Sequence, residues 1–534
     1  MGSSNTSLIT NNDQNNRDYS TISRANETGY LSDGRSVSSD ETCGNRFRFF
    51  SPDYEDLEGN IDDDDALTTS ISKEISHLLY YSVPITITFC MEYLLAVTSL
   101  FILGHLGKAS DLASASLAVM TFNITGLAVI EGMSSALDTL CPQAFGAQKY
   151  TRVGLYFQRC TAMILIAAIP ICISWWTCEK WLQYLVPEKD LLANVQVFLR
   201  ITSLALPGLI FFETGKRFVQ AQGIFDASTW VLVFNVPLNI VISIFLTKRY
   251  GFVGAPIAIT ITYWLMAIIL FLYCLFFVPT TKQCWYPVLE SSFHLKRVFS
   301  NWGPIWRLAF PGLVMIESEY LSFEVLTVMS THFGVRAIAA QSVIANLGSL
   351  IYQIPFAMGC VVATRIANYI GSGLLRNAGT TVKASWLLGA IIGITNCLLI
   401  MFGKRWLCLL FTRDKEIIEV AARALPILAL NQLCDGLATF NAAILRAQGR
   451  QALGGLINVI NYYFIALPLS YWFAFGPLHL ELKGLWYGCG VGIFLMALCL
   501  MACVRKSNWG EILQNFIERE EREAEIDMDS IATG

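Results

Sequence analysis

The chain repeats one pattern of residues about 226 positions apart, and both copies lie in apolar segments long enough to cross a bilayer. Three positions of the first copy recur at one constant offset: Pro84, Glu92 and Gly107 return as Pro311, Glu319 and Gly334. A turn recurs at nearly the same offset, first as Ala221-Gln222-Gly223 and then as Ala447-Gln448-Gly449. Such duplications are typical of secondary transporters, in which two halves of a bundle rock about a site between them. We therefore predict a duplicated membrane bundle.

The composition excludes a soluble globule. Hydrophobic residues make up 54% of the 534 positions and charged residues only 15%, and the mean hydropathy is +0.50. The net charge is −4, and acidic residues crowd 53–65 and the stretch after Glu511. Neither end carries the basic patch that nucleic-acid binding requires, so that class of function is excluded.

Twelve apolar stretches of about 20 residues predict an all-α integral membrane protein. Two six-helix lobes, related by pseudo-symmetry, are expected to surround a central cleft. The predicted segments are a disordered acidic tail at 1–70, an N-terminal lobe at 72–278, an interfacial linker at 279–302, a C-terminal lobe at 303–505 and an acidic tail at 506–534.

The even number of spans places both tails on the same side of the membrane. Loops after even-numbered spans hold more Lys and Arg than the opposite loops, which favours cytosolic tails by the positive-inside rule. In this count Lys216 and Arg217 belong to the loop after a short fourth span at 196–213.

Five carboxyl groups fall well inside predicted spans, where charged side chains are costly and usually functional. They are Glu92 in span one, Glu131 in span two, Glu319 and Glu324 in span seven, and Asp435 in span ten. A carboxyl group in a low-dielectric bundle takes up a proton more readily than one in water, so it can carry a proton across a membrane.

Span seven is the richest in acids, and they do not share one face. Glu317 and Glu324 lie seven residues apart on one side of a helix, whereas Glu319 is turned by about 160° from Glu317. The three carboxylates therefore cannot all enter one cavity. The alternative for each is a structural hydrogen bond to a neighbouring Ser, Tyr or Asn.

Several linked motifs resemble the eukaryotic branch of the multidrug and toxic compound extrusion (MATE) family. In the first half they are Met91-Glu92-Tyr93, Gly104-His105-Leu106-Gly107 and Gln143-Ala144-Phe145-Gly146. In the second half they are Glu319-Tyr320-Leu321-Ser322-Phe323-Glu324, Ile354-Pro355-Phe356 and Leu445-Arg446-Ala447-Gln448-Gly449. The resemblance runs from about residue 72 to residue 505.

This resemblance implies a two-lobed antiporter that exports organic cations, drugs or metabolites in exchange for protons. The functional acids of the family fall on Glu319, Glu324 and Asp435. Asn346, which precedes Pro355 in span eight, stands where animal members often have Glu. Glu92, where plant-like relatives tend to have Gln, adds a carboxyl group to the N-terminal lobe.

Four aromatic residues are expected to line the cleft, namely Tyr93, Tyr320, Phe323 and Tyr352. Each cation–π contact with a substrate would contribute about 0.5–2 kcal/mol. The alternative for these rings is ordinary helix packing.

The sequence lacks the features that other classes of membrane protein would need. A flippase for a lipid-linked sugar would need cations in its cavity, whereas the mid-span charges here are acidic. The sequence holds no HExxH, GxSxG or GxxxxGK[ST] motif, so we expect neither an enzyme nor a primary pump. Carboxylates alone leave sodium coupling, or a lipid-like substrate, as alternatives to proton coupling. We expect no cofactor or metal, a monomer in the vacuolar or plasma membrane, and small organic cations as partners.

Overall fold

The computed structural model describes residues 68–106, 109–184, 189–285 and 295–532. In these residues the chain forms twelve membrane helices and one further long helix at the C-terminal end. The bounds are α1 Ile71–Leu106, α2 Ser110–Gly146, α3 Tyr150–Trp176, α4 Leu191–Ala221, α5 Asp226–Tyr250, α6 Gly254–Phe276, α7 Gly303–Ser330, α8 Val335–Gly371, α9 Leu375–Leu409, α10 Lys415–Ala447, α11 Gln451–Phe475, α12 Glu481–Arg505 and α13 Trp509–Ala532. The all-α membrane fold predicted from the sequence is confirmed.

Length and apolar composition alone indicate ten membrane helices in the described residues. One of these, Asp226–Phe276, divides into α5 and α6 at Gly251, whose φ of +62° suits a residue without a side chain. The other addition is α7, which carries Arg307 and three glutamates among its apolar residues. These two corrections give the twelve spans expected from the sequence.

The two lobes exchange helix contacts in a symmetric way. Helices α1–α6 form the N-lobe and α7–α12 form the C-lobe. The first helix of each lobe crosses to the other: α1 packs against α8 and α9, and α7 packs against the second half of α2. Each lobe has its own apolar core, and the start of α7 joins the core of the N-lobe.

Two membrane helices contain π-helical turns. These are Asn123–Leu127 in α2 and Ile460–Ala466 in α11. A π-helical turn inserts an extra residue and shifts the faces of a helix, and such turns often mark functional sites. The second of them turns Tyr462 towards the interior of the C-lobe.

The fourth span is longer than the sequence suggested. It continues to Ala221, so Lys216 and Arg217 lie within the membrane bundle and not in a loop. The i, i+3 and i, i+4 spacing of Glu213 with these two cations allows the three charges to satisfy one another inside the helix. They therefore carry no information about the orientation of the chain.

The linker predicted at 279–302 is described only in part. Pro279–Trp285 forms a 3₁₀ segment and Leu295–Val298 a single helical turn, and the residues between them lie outside the described part. Arg159 of α3 donates from Nε to the carbonyl oxygen of Arg297 at 3.0 Å, which fixes the linker against the N-lobe. The N-terminal tail predicted as disordered lies outside the described residues up to position 67.

The acidic C-terminal segment folds into α13, which docks on the N-lobe. We call the end of the bundle that carries α13 and the loops after even-numbered helices the tail side. Ile512, Phe516, Glu520 and Glu523 form the buried stripe of this helix. Both acids face the start of α3, where the Tyr156 hydroxyl lies 3.0 Å from Glu520 Oε1 and 2.8 Å from Glu523 Oε2.

Candidate functional site

A cavity inside the C-lobe collects polar side chains from four helices. Its volume is about 40 Å³, and it lies between α7, α8, α10, α11 and α12. Its charged lining residues are Glu319, Asp435 and Arg446, and Tyr352 and Tyr462 contribute hydroxyl groups. Of the three charged residues, the sequence analysis had selected only the two acids.

Glu319 enters the cavity because α7 is fixed to α11 one turn earlier. The Asn458 side chain of α11 donates from Nδ2 to the carbonyl oxygen of Met315 at 3.2 Å. The hydroxyl of Tyr352, on α8, lies beside the Glu319 carboxylate and Thr439. Glu319 is thus positioned by a helix contact, and the Tyr352 hydroxyl is one of its polar neighbours.

Asp435 meets Glu319 from the middle of α10. Gln432, one turn earlier, donates from Nε2 to Oδ2 of Asp435 at 3.3 Å. The two carboxylates are close enough to repel each other when both are ionised. Two acids in one cavity of low dielectric favour binding of a proton or another cation, because either removes this repulsion.

Arg446 is the basic residue of the cavity, and the sequence analysis missed its role. Its side chain is only 5% exposed and it lies on the last turn of α10. Its Nε atom is buried without a hydrogen-bond partner. A buried cation in the motif Leu445-Arg446-Ala447 was the signal in the sequence. No short sequence pattern connects Arg446 with Glu319, which is on another helix, or with Asp435, which lies several turns earlier on α10.

The other residues predicted on α7 take different positions. Glu317 lies near Tyr463, and neither Glu317 nor Glu324 lines the cavity. Phe323 packs against Tyr462 and Trp486 within the C-lobe, with ring centroids 6.3 Å apart in both pairs. The helical geometry that turned Glu319 away from Glu317 and Glu324 accounts for this arrangement.

Tyr93 and Asn346 join the two lobes instead of lining the C-lobe cavity. The Tyr93 hydroxyl of α1 donates to Oδ1 of Asn346 on α8 at 2.7 Å. The Asn346 amide in turn donates from Nδ2 to the carbonyl oxygen of Ser342 at 2.7 Å. These two predicted residues form one bridge across the cleft.

Tyr320 lies on the face of α7 that looks towards the N-lobe. It is 37% exposed, and Glu131 of α2 exerts the strongest electrostatic influence on its hydroxyl group. Tyr320 is therefore placed at the interface between the lobes, away from the C-lobe cavity.

Glu92, the repeat mate of Glu319, is held in an ion pair that the sequence analysis did not foresee. Lys216 donates from Nζ to Glu92 Oε1 at 2.8 Å and to Glu213 Oε1 at 2.9 Å. Arg217 lies 2.6 Å from the other oxygen of Glu213 and 3.3 Å from Asp138. The N-lobe therefore holds a buried network of charges at the position that corresponds to Glu319 in the repeat.

The lobes are tied together on the tail side. Gln143 of α2 donates from Nε2 to the carbonyl oxygen of Ala447 at 2.8 Å, and Thr139 donates to the carbonyl oxygen of Arg446. Glu74 at the start of α1 pairs with Arg365 of α8 at 3.0 Å. Among the described residues, the inter-lobe hydrogen bond farthest from the tail side is the one between Tyr93 and Asn346. The lobes thus contact each other most closely at the tail side.

Two glycines allow this close approach. A side chain on Gly146 would overlap the carbonyl oxygen of Asn368, and one on Gly371 would overlap that of Gln143. Gln143 and Asn368 are related by the repeat, and the two glycines are related by the same offset. The contact between the ends of α2 and α8 is therefore itself two-fold symmetric.

Comparison with known families agrees with the repeat. The MatE family model matches the chain twice, at residues 84–245 and 311–472. The copies begin at the prolines that the sequence analysis paired. The family model thus covers more than half of the chain and most of both lobes.

Several transporters resemble the chain over most of its length. The "Uncharacterized transporter YDR338C" of Saccharomyces cerevisiae is 37% identical over 494 residues, which cover 90% of this chain and 69% of that protein. The mouse "Multidrug and toxin extrusion protein 2" is 29% identical, with 84% of this chain and 77% of that protein covered. The crystal structure of the eukaryotic transporter AtDTX14 superposes with a TM-score of 0.77 at 27% identity, over 84% of this chain and 99% of that chain.

Proposed function

Because this chain belongs to the MatE family of multidrug and toxin extrusion transporters, we propose that it exports organic cations in exchange for protons, with the C-lobe cavity as its coupling site. The observation that carries the proposal is the pairing of Glu319 and Asp435 in one cavity. Two neighbouring carboxylates can hold either a cationic substrate or protons, and the two occupants compete.

The competition supplies the coupling. With both acids ionised, the cavity attracts an organic cation, and a pair of charges about 4 Å apart at an effective dielectric constant of about 20 gains about 4 kcal/mol. Protonation of the acids removes this attraction and the cation leaves. The charge of the cavity then differs between two packings of the lobes, so binding of one occupant shifts the balance between them.

The tail-side contacts support an orientation for export. If the tails lie in the cytosol, as the loops favour, the lobes in this structure are closed towards the cytosol. Substrate release to the opposite side would then precede opening of the seal between α2 and α8. The opposite side is acidic both at the vacuolar and at the plasma membrane, which supplies the protons.

Transport in proteoliposomes tests the proposal. We expect an imposed pH gradient to drive uptake of a fluorescent organic cation by the native chain, and Glu319→Gln and Asp435→Asn each to reduce it at least tenfold. Glu317→Gln is the matched control, because it removes a carboxyl from the same helix outside the cavity. Uptake that ignores the pH gradient and is equal in all four proteins would contradict proton coupling through these acids.

Sodium is the second candidate for the coupling ion, since carboxylates bind it as well. The same vesicles distinguish the two. A sodium gradient without a pH gradient is expected to leave uptake at background, whereas sodium-driven uptake lost in Asp435→Asn would replace the proton by sodium in the mechanism.

A further inference from the structure

We propose that Arg446 sets the charge of the C-lobe cavity, so that the cavity prefers monovalent over divalent organic cations and repels a cation once both acids are protonated. The inference deepens the proposed function and rests on it. It concerns a residue whose place in the fold, beside Glu319 and Asp435, sequence motifs alone did not reveal.

The Arg446 guanidinium has no carboxylate partner among the described residues, unlike Lys216, Arg217 and Arg365. Lys216, Arg217 and Arg365 each lie within 3.3 Å of a carboxylate oxygen. The Nε of Arg446 has no hydrogen-bond partner, and no ion pair of the described residues includes its guanidinium. Its charge is therefore not cancelled by a partner and acts on the whole cavity.

The charge of Arg446 is permanent. A guanidinium group is not deprotonated in proteins, so burial does not neutralise it. Its side chain is almost fully shielded from solvent, so water and dissolved salt screen the charge little. The main chain at this position is held in place, because Thr139 of the N-lobe donates a hydrogen bond to the carbonyl oxygen of Arg446.

The titratable groups that surround Arg446 are few. Glu319 faces the cavity from α7, Tyr352 from α8, Asp435 from α10 itself and Tyr462 from α11. Cys489 of α12 is near Tyr462, and Cys360 of α8 is near both Arg446 and Asp138 of the N-lobe. Glu319 and Asp435 are the two carboxylic acids among the residues that line the cavity, so they and Arg446 determine the sign of its charge.

The sum of these charges reverses on protonation. With both acids ionised, the cavity carries −2 from the carboxylates and +1 from Arg446, a net charge of −1. A monovalent cation neutralises it, whereas a divalent cation leaves an excess of +1 in a medium of low dielectric constant. With both acids protonated the cavity carries +1 and repels any cation. Proton binding thus expels the substrate actively and does not merely end its attraction.

A matched pair of probes tests the predicted net charge of the C-lobe cavity. N-methyl-4-phenylpyridinium carries one charge, and N,N′-dimethyl-4,4′-bipyridinium carries two on a scaffold of similar size. Their binding to the purified full-length chain in nanodiscs is measured by isothermal titration at alkaline and at acidic pH. We expect the native chain to prefer the monovalent probe at alkaline pH and to lose it at acidic pH.

Arg446→Gln is expected to shift the ratio of the two affinities by about tenfold or more towards the divalent probe. It should also retain more of the monovalent probe at acidic pH than the native chain does. Arg446→Lys keeps the charge and should keep the native ratio. An unchanged ratio in a folded Arg446→Gln protein would overturn the inference.

A second variant reaches the same charge without altering Arg446. Thr439→Asp adds a carboxylate to the cavity lining, and we expect it to favour the divalent probe as Arg446→Gln does. If Arg446→Gln does not fold, this variant decides the question, and an unchanged ratio in it overturns the inference. Failure of the native chain to bind either probe would instead contradict the proposed transport of organic cations.

Discussion

At the residue scale, the same acidic position of the repeat has two different surroundings. Glu319 lines a cavity together with Asp435, whereas Glu92 is paired with Lys216 at 2.8 Å. The negative charge of a carboxylate that is paired with a fixed ammonium group is already neutralised, so it attracts a diffusible cation only weakly. The two lobes are therefore symmetric in fold and unequal in chemistry.

Removal of the fixed cation tests the structural part of this difference. We expect Lys216→Met to lower the free energy of unfolding by about 3–5 kcal/mol, because it leaves Glu92 and part of Glu213 as uncompensated buried charges. The midpoint of thermal unfolding in detergent is the measurement. Lys180→Met, which alters an exposed lysine, should change the stability by no more than about 0.5 kcal/mol.

The double variant Glu92→Gln with Lys216→Met separates the charge from the volume of the side chains. It removes one acid with its cation, so the loss should be smaller than for Lys216→Met alone. Equal losses in the single and double variants would mean that packing, and not charge, explains the effect.

The sequence directed attention to the acids within the spans of each lobe and not to the cations that lie beside them. Acids within apolar spans are conspicuous, so Glu319, Asp435 and Glu92 could be selected directly. The cations lie far away along the chain, since Lys216 is on α4 whereas Glu92 is on α1, and Arg446 is on α10 whereas Glu319 is on α7. Which distant side chains meet depends on how the helices pack, and the periodicity of a single helix does not contain that information.

At the element scale, the contact between the ends of α2 and α8 depends on glycine. Both helices reach the tail side with a residue that lacks a side chain, and each glycine faces a carbonyl oxygen of the opposite lobe. The repeat predicted that Gly146 and Gly371 are equivalent. It did not predict that equivalent residues of the two lobes touch.

Gly146→Ala is expected to weaken this seal, because its Cβ atom would overlap the Asn368 carbonyl oxygen. The overlap with backbone forces the two helices apart. Accessibility of a cysteine placed at the tail-side end of α8 to a membrane-impermeant thiol reagent is the measurement, and we expect a several-fold faster reaction. Gly379→Ala, at a glycine with open space around it, should leave the rate unchanged. Equal rates in both variants would contradict a tight seal.

Helix α13 has a buried face that the acidic composition of this segment did not predict. Its composition predicted an acidic tail, either a solvated amphipathic helix or disorder, and in the structure the i, i+4 spacing of Ile512, Phe516 and Glu520 forms a buried stripe. The spacing of the stripe is visible in the sequence. Its binding surface on α3 is not, because α3 is distant in the chain and belongs to the N-lobe. Arg519 adds a hydrogen bond to Oε1 of Gln143 at 2.6 Å.

At the scale of the whole molecule, α13 connects the two lobes on the tail side. It follows α12 of the C-lobe in the chain and contacts α2 and α3 of the N-lobe. Lys149, just before α3, and Arg152 of α3 lie 3.1 and 3.4 Å from Glu520 and Glu523, respectively. Separation of the lobes at this end therefore requires α13 to detach or to move with the N-lobe.

Docking of α13 should depend on pH. Burial raises the pKa of the Glu523 carboxyl above its ordinary value of 4.5, so the docked helix holds this proton more tightly than the free helix. Docking is therefore strongest when the pH is below the ordinary carboxyl pKa of 4.5. It weakens as the pH rises through the raised pKa that Glu523 has in the docked helix. The distance between spin labels on α13 and α3, recorded as a function of pH, measures the docking.

Glu523→Gln is the matched variant for this prediction. It keeps the size of the side chain and cannot ionise, so the labels should stay close over the same pH range. A native chain and a variant with identical pH profiles would assign the dependence to other groups.

The pairing of Lys216 with Glu92 gives the duplicated architecture a division of labour. One copy of the ancestral half carries its cation covalently, on a side chain of the same lobe, and so behaves as if permanently loaded. The other copy, under the proposed function, takes its cation from the surroundings and gives it up again. A mobile ligand in one half thus has a tethered counterpart in the other, and only one of two equivalent positions cycles.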